Sequence, residues 1–161
     1  MAIVVSDTSP LRCVGHLRLL DLLPALFEKV FIPPAVVAEL RAGPSGPFFV
    51  GLEAISPLEI HAPADTALVQ RLLHRLHLGE SEALASAVEI AAEFVLIDEK
   101  TGRRVAKELG LTPLGVLGML VKAKQRGLIP EVAPLLMRLK AELDFRVSVQ
   151  VQRRILELAG E

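Results

Sequence analysis

Residues 2–10 read AIVVSDTSP and combine a β-branched apolar run with the signal for a helix start. A short run that is apolar on both faces is typical of a strand buried in a parallel sheet. Thr8 or Ser9 is predicted to cap the next helix, with Pro10 at its first position. Asp7 then lies at the carboxyl end of the strand, where ligands bind in sheets of this kind.

The same alternation of strand and helix continues along the chain. Further strands are predicted at residues 29–32 and 94–97, with a brief extended piece at 112–113. Alternating strands and helices predict an α/β fold, in which helices cover both faces of a mostly parallel sheet. The whole chain, residues 1–161, is predicted to form a single domain. Helices are predicted at 11–20, 21–24, 33–40, 65–76, 81–92, 101–109, 114–126, 130–142 and 148–159.

Three connecting stretches give weaker signals. Residues 41–47 (RAGPSGP) predict a loop, and residues 48–58 are ambiguous, with a candidate strand near Ile55. Residues 78–81 (LGES) are predicted to break the chain between two helices.

Composition restricts the choice of cell compartment and the kinds of partner that we expect. The single cysteine, Cys13, excludes an internal disulfide and favours a reducing environment. We find no apolar run of membrane-spanning length and no signal peptide, so we expect a cytoplasmic protein. The net charge of −1 provides no global basic field for nucleic acid, so RNA binding would need a local basic rim.

Acidic residues stand at the ends of the two most apolar strands. Asp7 follows the first strand and Asp98 follows the strand at 94–97. Neighbouring strand ends would bring both carboxylates close together, where they repel each other unless a hard divalent cation neutralises them. For each aspartate the alternative is an ordinary role at a helix N-terminus.

Two glutamates strengthen this interpretation. Glu39 is the charged residue among apolar neighbours on the short helix after the second strand, and Glu80 follows Gly79. A first-turn interaction with the helix dipole is the alternative for Glu80. Glu82 has the same alternative and is a second-choice ligand.

Four segments contain the acidic residues, namely VSDTSPL (5–11), IPPAVVAEL (32–40), LGESEALA (78–85) and LID (96–98), and two more follow them, RRVA (103–106) and GVLGMLVKAK (115–124). In this order they resemble the motifs of PIN-domain nucleases. The chain is most like the bacterial and archaeal branch that carries Gly-Glu in place of the third aspartate, which is similar to the toxin ribonucleases of VapBC-type toxin–antitoxin pairs. The chain departs from common patterns at Leu96-Ile97, where many members carry Thr or Ser, and at Glu80, which replaces an aspartate.

The resemblance implies a three-layer α/β/α sandwich and an endoribonuclease that cleaves single-stranded RNA with Mg²⁺ or Mn²⁺. It also implies a possible protein antitoxin that blocks the acidic site. Carried over by position, the acidic quartet is Asp7, Glu39, Glu80 and Asp98, and Ser9 supplies the supporting hydroxyl. Oxygen ligands and water suit Mg²⁺ or Mn²⁺ better than zinc.

RNA must approach this negative cluster, so its phosphates need cations nearby. The candidates are the run after Asp98, formed by Lys100, Arg103, Arg104 and Lys107, with Arg12, Lys122 and Lys124 as weaker ones. For any one of them, a solvated helix face is the simpler interpretation. With no Trp or Tyr, surfaces for base stacking look sparse.

Other functions stay open. A non-catalytic PIN-fold protein that binds RNA or protein would keep the fold and lose the metal or the activity. A phosphatase-like hydrolase needs a second aspartate two residues after the first, where this chain has Ser9. The strongly apolar stretches 114–121 and 135–143 also predict a homodimer face or a groove for a partner peptide.

Overall fold

A computed structural model describes residues 1–43, 54–55 and 57–161. Its strands form one sheet in the order β3-β2-β1-β4-β5, and every described pairing is parallel. The strand at Pro113–Leu114 confirms the brief extended piece predicted there. The strands are β1 Ala2–Ser6, β2 Phe27–Ile32, β3 Leu58–Ile60, β4 Phe94–Leu96 and β5 Pro113–Leu114.

Helices cover both faces of the sheet, which confirms the predicted three-layer architecture. Alternate residues of β1 point to opposite faces, so Val4 belongs to one apolar core and Val5 to the other. Among the described residues, no helix is long and apolar enough to cross a membrane. The helices are α1 Thr8–His16, α2 Leu22–Leu26, α3 Pro34–Ala42, α4 Thr66–Leu72, α5 Leu78–Ile90, α6 Lys100–Glu108, α7 Val116–Gln125, α8 Ala133–Glu142 and α9 Val149–Leu158.

The strand order creates a switch point between β1 and β4. From β1 the chain builds outward through β2 and β3, and then returns to place β4 on the other side of β1. Ser6 pairs with Leu96 at the carboxyl ends of these strands, and the Asp7 N–H donates to the Leu96 carbonyl at 2.9 Å. Helices that leave in opposite directions open a crevice at such a point. The predicted adjacency of the two strand ends is therefore confirmed.

The first helix differs from its prediction at both ends. It begins at Thr8 with Asp7 in the N-cap position, so neither Thr8 nor Ser9 is the cap and Pro10 lies within the first turn. It ends at His16 because the chain turns there, with Arg18 in the left-handed region at φ 58°.

The predicted break at residues 78–81 is wrong. The helix α5 already begins at Leu78, and the chain turns earlier, between Leu72 and His77. The cause is local, because the Glu80 carboxylate accepts the His77 N–H and so stabilises a helix start two residues before Glu80.

The predicted loop at 41–47 and the ambiguous stretch at 48–58 are only partly described. Helix α3 extends through Ala42, so the loop begins later than predicted, and residues 44–53 and 56 lie outside the described part of the chain. The third strand forms at Leu58–Ile60 through pairing with β2, rather than near Ile55, which lies in a bend.

Candidate active site

Asp7 follows the carboxyl end of β1, beside the switch point, with 5% of its surface exposed. It occupies the N-cap position of α1, yet its side chain makes no cap hydrogen bond, so helix capping does not account for it. Burial raises its pKa from 3.8 to about 7; the backbone of Thr8 opposes this rise, and the carboxylates of Glu80, Glu39 and Asp98 add to it. The predicted quartet therefore shares one electrostatic neighbourhood around Asp7.

Asp98 follows β4 and faces the start of α7. Its Oδ1 accepts the Val116 N–H at 3.0 Å, whereas its Oδ2 is buried with no hydrogen-bond partner among the described residues. The cap of α6 is instead Glu99, which accepts the Gly102 N–H at 2.9 Å. Burial raises the pKa of Asp98 to about 6, against the Val116 hydrogen bond and the positive charge of Arg103. An unpartnered buried oxygen is costly, which makes Oδ2 a natural cation ligand.

Glu39 belongs to α3, and its charge acts on Asp7. The Thr8 hydroxyl donates to its Oε2 at 2.5 Å. Its Oε1 lies against Gly79 on α5, where an added Cβ would come within 2.6 Å of it. Glycine at this position therefore leaves room for the carboxylate, and the Gly-Glu pair contributes both space and charge.

Glu80 lies in the first turn of α5 and is 8% exposed. Its carboxylate accepts the His77 N–H at 3.4 Å, so the ordinary first-turn role is also present. Burial raises its pKa, the His77 hydrogen bond lowers it, and the charges of Glu99 and Glu39 raise it further. A Cβ added at Gly102 would lie 3.9 Å from Glu80 Cδ, which places this carboxyl group beside the start of α6.

The donor set fits a hard divalent cation in its chemistry. All the converging side chains offer carboxylate oxygens, one of which is orphaned, and their mutual repulsion is what such an ion relieves. Within the described ranges, however, no group of three or more His, Cys, Asp or Glu side chains is arranged to hold an ion as it stands. The cluster is thus an open arrangement of ligands rather than a closed cage.

A family model described as a PIN domain matches residues 3–161. The chain belongs to the PIN-domain family. PIN domains are typically nucleases and generally use divalent metals. No curated protein matches the chain.

Two further acids of this PIN domain have structural partners. The Glu82 carboxylate accepts the Ala35 N–H at 2.9 Å, at the start of α3, and Glu99 caps α6. One carboxylate oxygen of each is therefore engaged by a backbone N–H, although the charge of Glu99 acts on Glu80.

The hydroxyl that contacts the acidic cluster belongs to Thr8, which sequence reasoning considered only as a helix cap. The Ser9 side chain lies instead against Cys13, whose thiol pKa is raised to about 12 by burial. The supporting role of Ser9 stays a prediction. Its neighbour Thr8 could be recognised only from the contact with Glu39, a residue 31 positions away.

The cations predicted to bind RNA fall into two groups. Those of α6 (Lys100, Arg103, Arg104 and Lys107) line a groove that also contains Asp98. Arg103 is part of the site itself, because its Nη1 donates to the Ile97 carbonyl at 3.0 Å. The weaker candidates have other contacts: Arg12 donates to the Glu39 carbonyl, Lys122 lies over the Phe94 ring, and Lys124 pairs with Glu161.

Proposed function

We propose that this PIN domain is an endoribonuclease that cleaves single-stranded RNA with Mg²⁺ or Mn²⁺. The observation that carries the proposal is the burial of Asp7 among three other carboxylates at the switch point of the sheet, which raises its pKa to about 7. A bound divalent ion would supply charge neutralisation at the scissile phosphate and a bound water of lowered pKa.

The surroundings of each residue in the cluster determine the role that we assign to it. Asp7 and Asp98 would hold the ion, because the Asp7 side chain is buried and the buried Asp98 Oδ2 has no hydrogen-bond partner in the described structure. Glu39, fixed by Thr8, and Glu80 orient water molecules at the edge of the cluster, and either carboxylate can accept a proton from the attacking water. Arg103, beside Asp98, offers positive charge to the phosphate.

The proposal extends to the toxin of a toxin–antitoxin pair. It is supported by the resemblance of the Gly79-Glu80 pair to the Gly-Glu branch and by the contact between Gly79 and the Glu39 carboxylate. An antitoxin would block the site by placing a basic side chain against these acids. The apolar side chains of α7 that predicted a homodimer face lie in the protein's own core, so a homodimer would use exposed apolar residues such as Met137 on α8 and Val149 on α9.

A second candidate is a PIN-fold binding protein without catalysis. The arrangement of the acids favours it, because no three donors of the described residues form a ready-made ion site. In that case the basic groove would bind RNA that is never cut.

The test is cleavage of an end-labelled single-stranded RNA by purified protein with Mg²⁺, Mn²⁺ or EDTA. We expect cleavage that needs the divalent ion and that falls by at least about 100-fold in Asp98→Asn, since even residues behind a metal ligand contribute about 10- to 100-fold. Asp21→Asn is the matched control, because Asp21 is exposed and makes no cap hydrogen bond. RNA binding without cleavage by any divalent ion would support the second candidate, and full activity of Asp98→Asn would exclude the metal assignment.

A further inference from the structure

A groove of about 610 Å³ begins at Asp98 and runs between two unlike walls. One wall is helix α6, and the other is the C-terminal segment from Phe145 to Ile155, with Leu117 of α7 also lining the groove. The volume is within the range of about 300–1,000 Å³ that is typical of ligand pockets. Asp98 and Arg103 already belong to the acidic site, whereas the C-terminal residues that line the groove do not.

The α6 wall carries a dense positive charge. Lys100, Arg103, Arg104 and Lys107 all line the groove, and the C-terminal segment adds Arg146, which pairs with the exposed Asp144 at 3.7 Å. Asp98 is the acidic residue in the lining. Neither Lys100 nor Lys107 forms an ion pair within the described residues, and both are exposed. Cations that the fold itself does not neutralise favour a polyanion as the occupant.

The C-terminal wall is mostly apolar and contains an aromatic ring. Phe145 is half-buried there, and Val147, Val151 and Ile155 continue the surface, with Val151 49% exposed. A single nucleic-acid strand has phosphates along one side and bases along the other, which matches cations facing an apolar wall. A duplex presents phosphates outward and hides its base faces, so it has nothing to place against Phe145.

We infer that this groove holds the nucleotides next to the scissile phosphate, with phosphates on the α6 cations and a base against Phe145. The inference rests on the proposed nuclease function, and it assigns a substrate-binding role to a C-terminal segment that lies outside the acidic cluster. Substitution of Lys107 tests the α6 wall, and substitution of Phe145 tests the C-terminal wall.

The first test measures binding of a fluorescein-labelled 12-nucleotide oligouridine by anisotropy in EDTA, over a series of KCl concentrations. Lys107→Gln should weaken binding and reduce the slope of log Kd against log [KCl] by about 0.7, the value for one phosphate contact on a single strand. Phe145→Ala should weaken binding by about 5- to 150-fold and leave the slope unchanged, because stacking releases no counterions. Arg153→Gln is the charge-matched control, since Arg153 is exposed on α9 outside the groove lining.

A second variant at position 145 controls for loss of folding, because Phe145 also packs against the core. Phe145→Leu keeps most of the apolar volume and removes the ring, so it should fold with the wild-type far-UV circular dichroism spectrum and still weaken RNA binding. Equal affinity of wild type, Lys107→Gln and Phe145→Leu for the oligouridine would overturn the inference. Binding of an RNA duplex of the same length with the same affinity would also overturn it. A polyglutamate peptide that competes with RNA, and whose binding is weakened equally by Phe145→Leu, would overturn it as well.

The second test separates the groove from the acidic site. The dinucleotide uridylyl-uridine carries one phosphate and can contact fewer of the α6 cations than the 12-mer, so Lys107→Gln should slow cleavage of the 12-mer at low concentration by a larger factor than cleavage of the dinucleotide. Arg153→Gln, outside the groove lining, should cleave both substrates like wild type. Groove variants that cleave both substrates like wild type would overturn the groove assignment and leave the nuclease proposal standing. Failure of wild type to cleave either substrate, together with the expected changes in RNA binding, would instead remove the nuclease proposal and retain the groove as a nucleic-acid site.

Discussion

Replacing Asp7 with asparagine should make the metal-free protein more stable while it removes the site's function. The Asp7 carboxyl group has a pKa of about 7 in the folded protein against an ordinary value of 3.8. At 1.36 kcal/mol for each tenfold change in proton affinity, this difference corresponds to about 4 kcal/mol. That value is an upper limit, because the site relaxes when Asp7 ionises, and we expect a measured gain of about 1–4 kcal/mol.

The sign of this effect depends on pH. Because the folded protein holds the Asp7 proton more tightly than the unfolded chain, ionisation costs stability as pH rises from about 4 to about 7, and the full cost persists above pH 7. Asparagine cannot ionise, so it escapes this cost. Asp7→Asn should therefore be more stable than wild type at pH 8 and nearly equal to it at pH 4.

The assay is urea unfolding in EDTA at both pH values, followed by far-UV circular dichroism. Asp21→Asn serves as the control, because it removes an exposed carboxylate without touching the cluster. Adding Mn²⁺ at pH 8 should raise the stability of wild type and leave Asp7→Asn unchanged, since only a site that binds the ion gains stability from it. A variant that is less stable than wild type at pH 8, or a gain that is the same at pH 4, would refute the reasoning.

Three further substitutions test the supporting residues. Gly115→Ala places a Cβ 2.7 Å from Asp98 Oδ1, so RNA cleavage should fall at least about 10-fold with the far-UV spectrum unchanged, and wild-type cleavage would show that Asp98 need not stay in place. Thr8→Val removes the donor to Glu39 and should lower the cleavage rate about 10-fold, whereas Thr8→Ser should keep it; equal rates for the two variants would exclude this role. Ile97→Ala empties a fully buried position and should lower the free energy of unfolding by about 2–5 kcal/mol in urea, and a loss below about 1 kcal/mol would contradict its place in the core.

The sequence was sufficient to place the two aspartates. Both β1 and β4 are continuous apolar runs, and parallel strands bring their carboxyl ends to one edge of the sheet. Asp7 and Asp98 follow these runs directly, so their adjacency depends on strand identity and not on loop details. For the same reason the α/β class and most helices were predictable from alternation alone.

Other features depend on tertiary packing and gave no local signal. The start of α5 at Leu78 was missed because glycine and polar residues read as a break, whereas the Glu80 carboxylate stabilises the first turn. The contact between Thr8 and Glu39 joins two helices that only the sheet brings together. The groove wall at Phe145 likewise depends on how the C-terminal segment folds back towards α6.

The most direct test of the acidic cluster as a divalent-ion site is calorimetric titration of Mn²⁺ into wild type and Asp7→Asn at pH 7.5. We expect saturable binding by wild type that is lost in Asp7→Asn, while Asp21→Asn binds like wild type. No binding by folded wild type, or equal binding by Asp7→Asn, would contradict the assignment of Asp7 and its neighbours as the ligands of a catalytic ion.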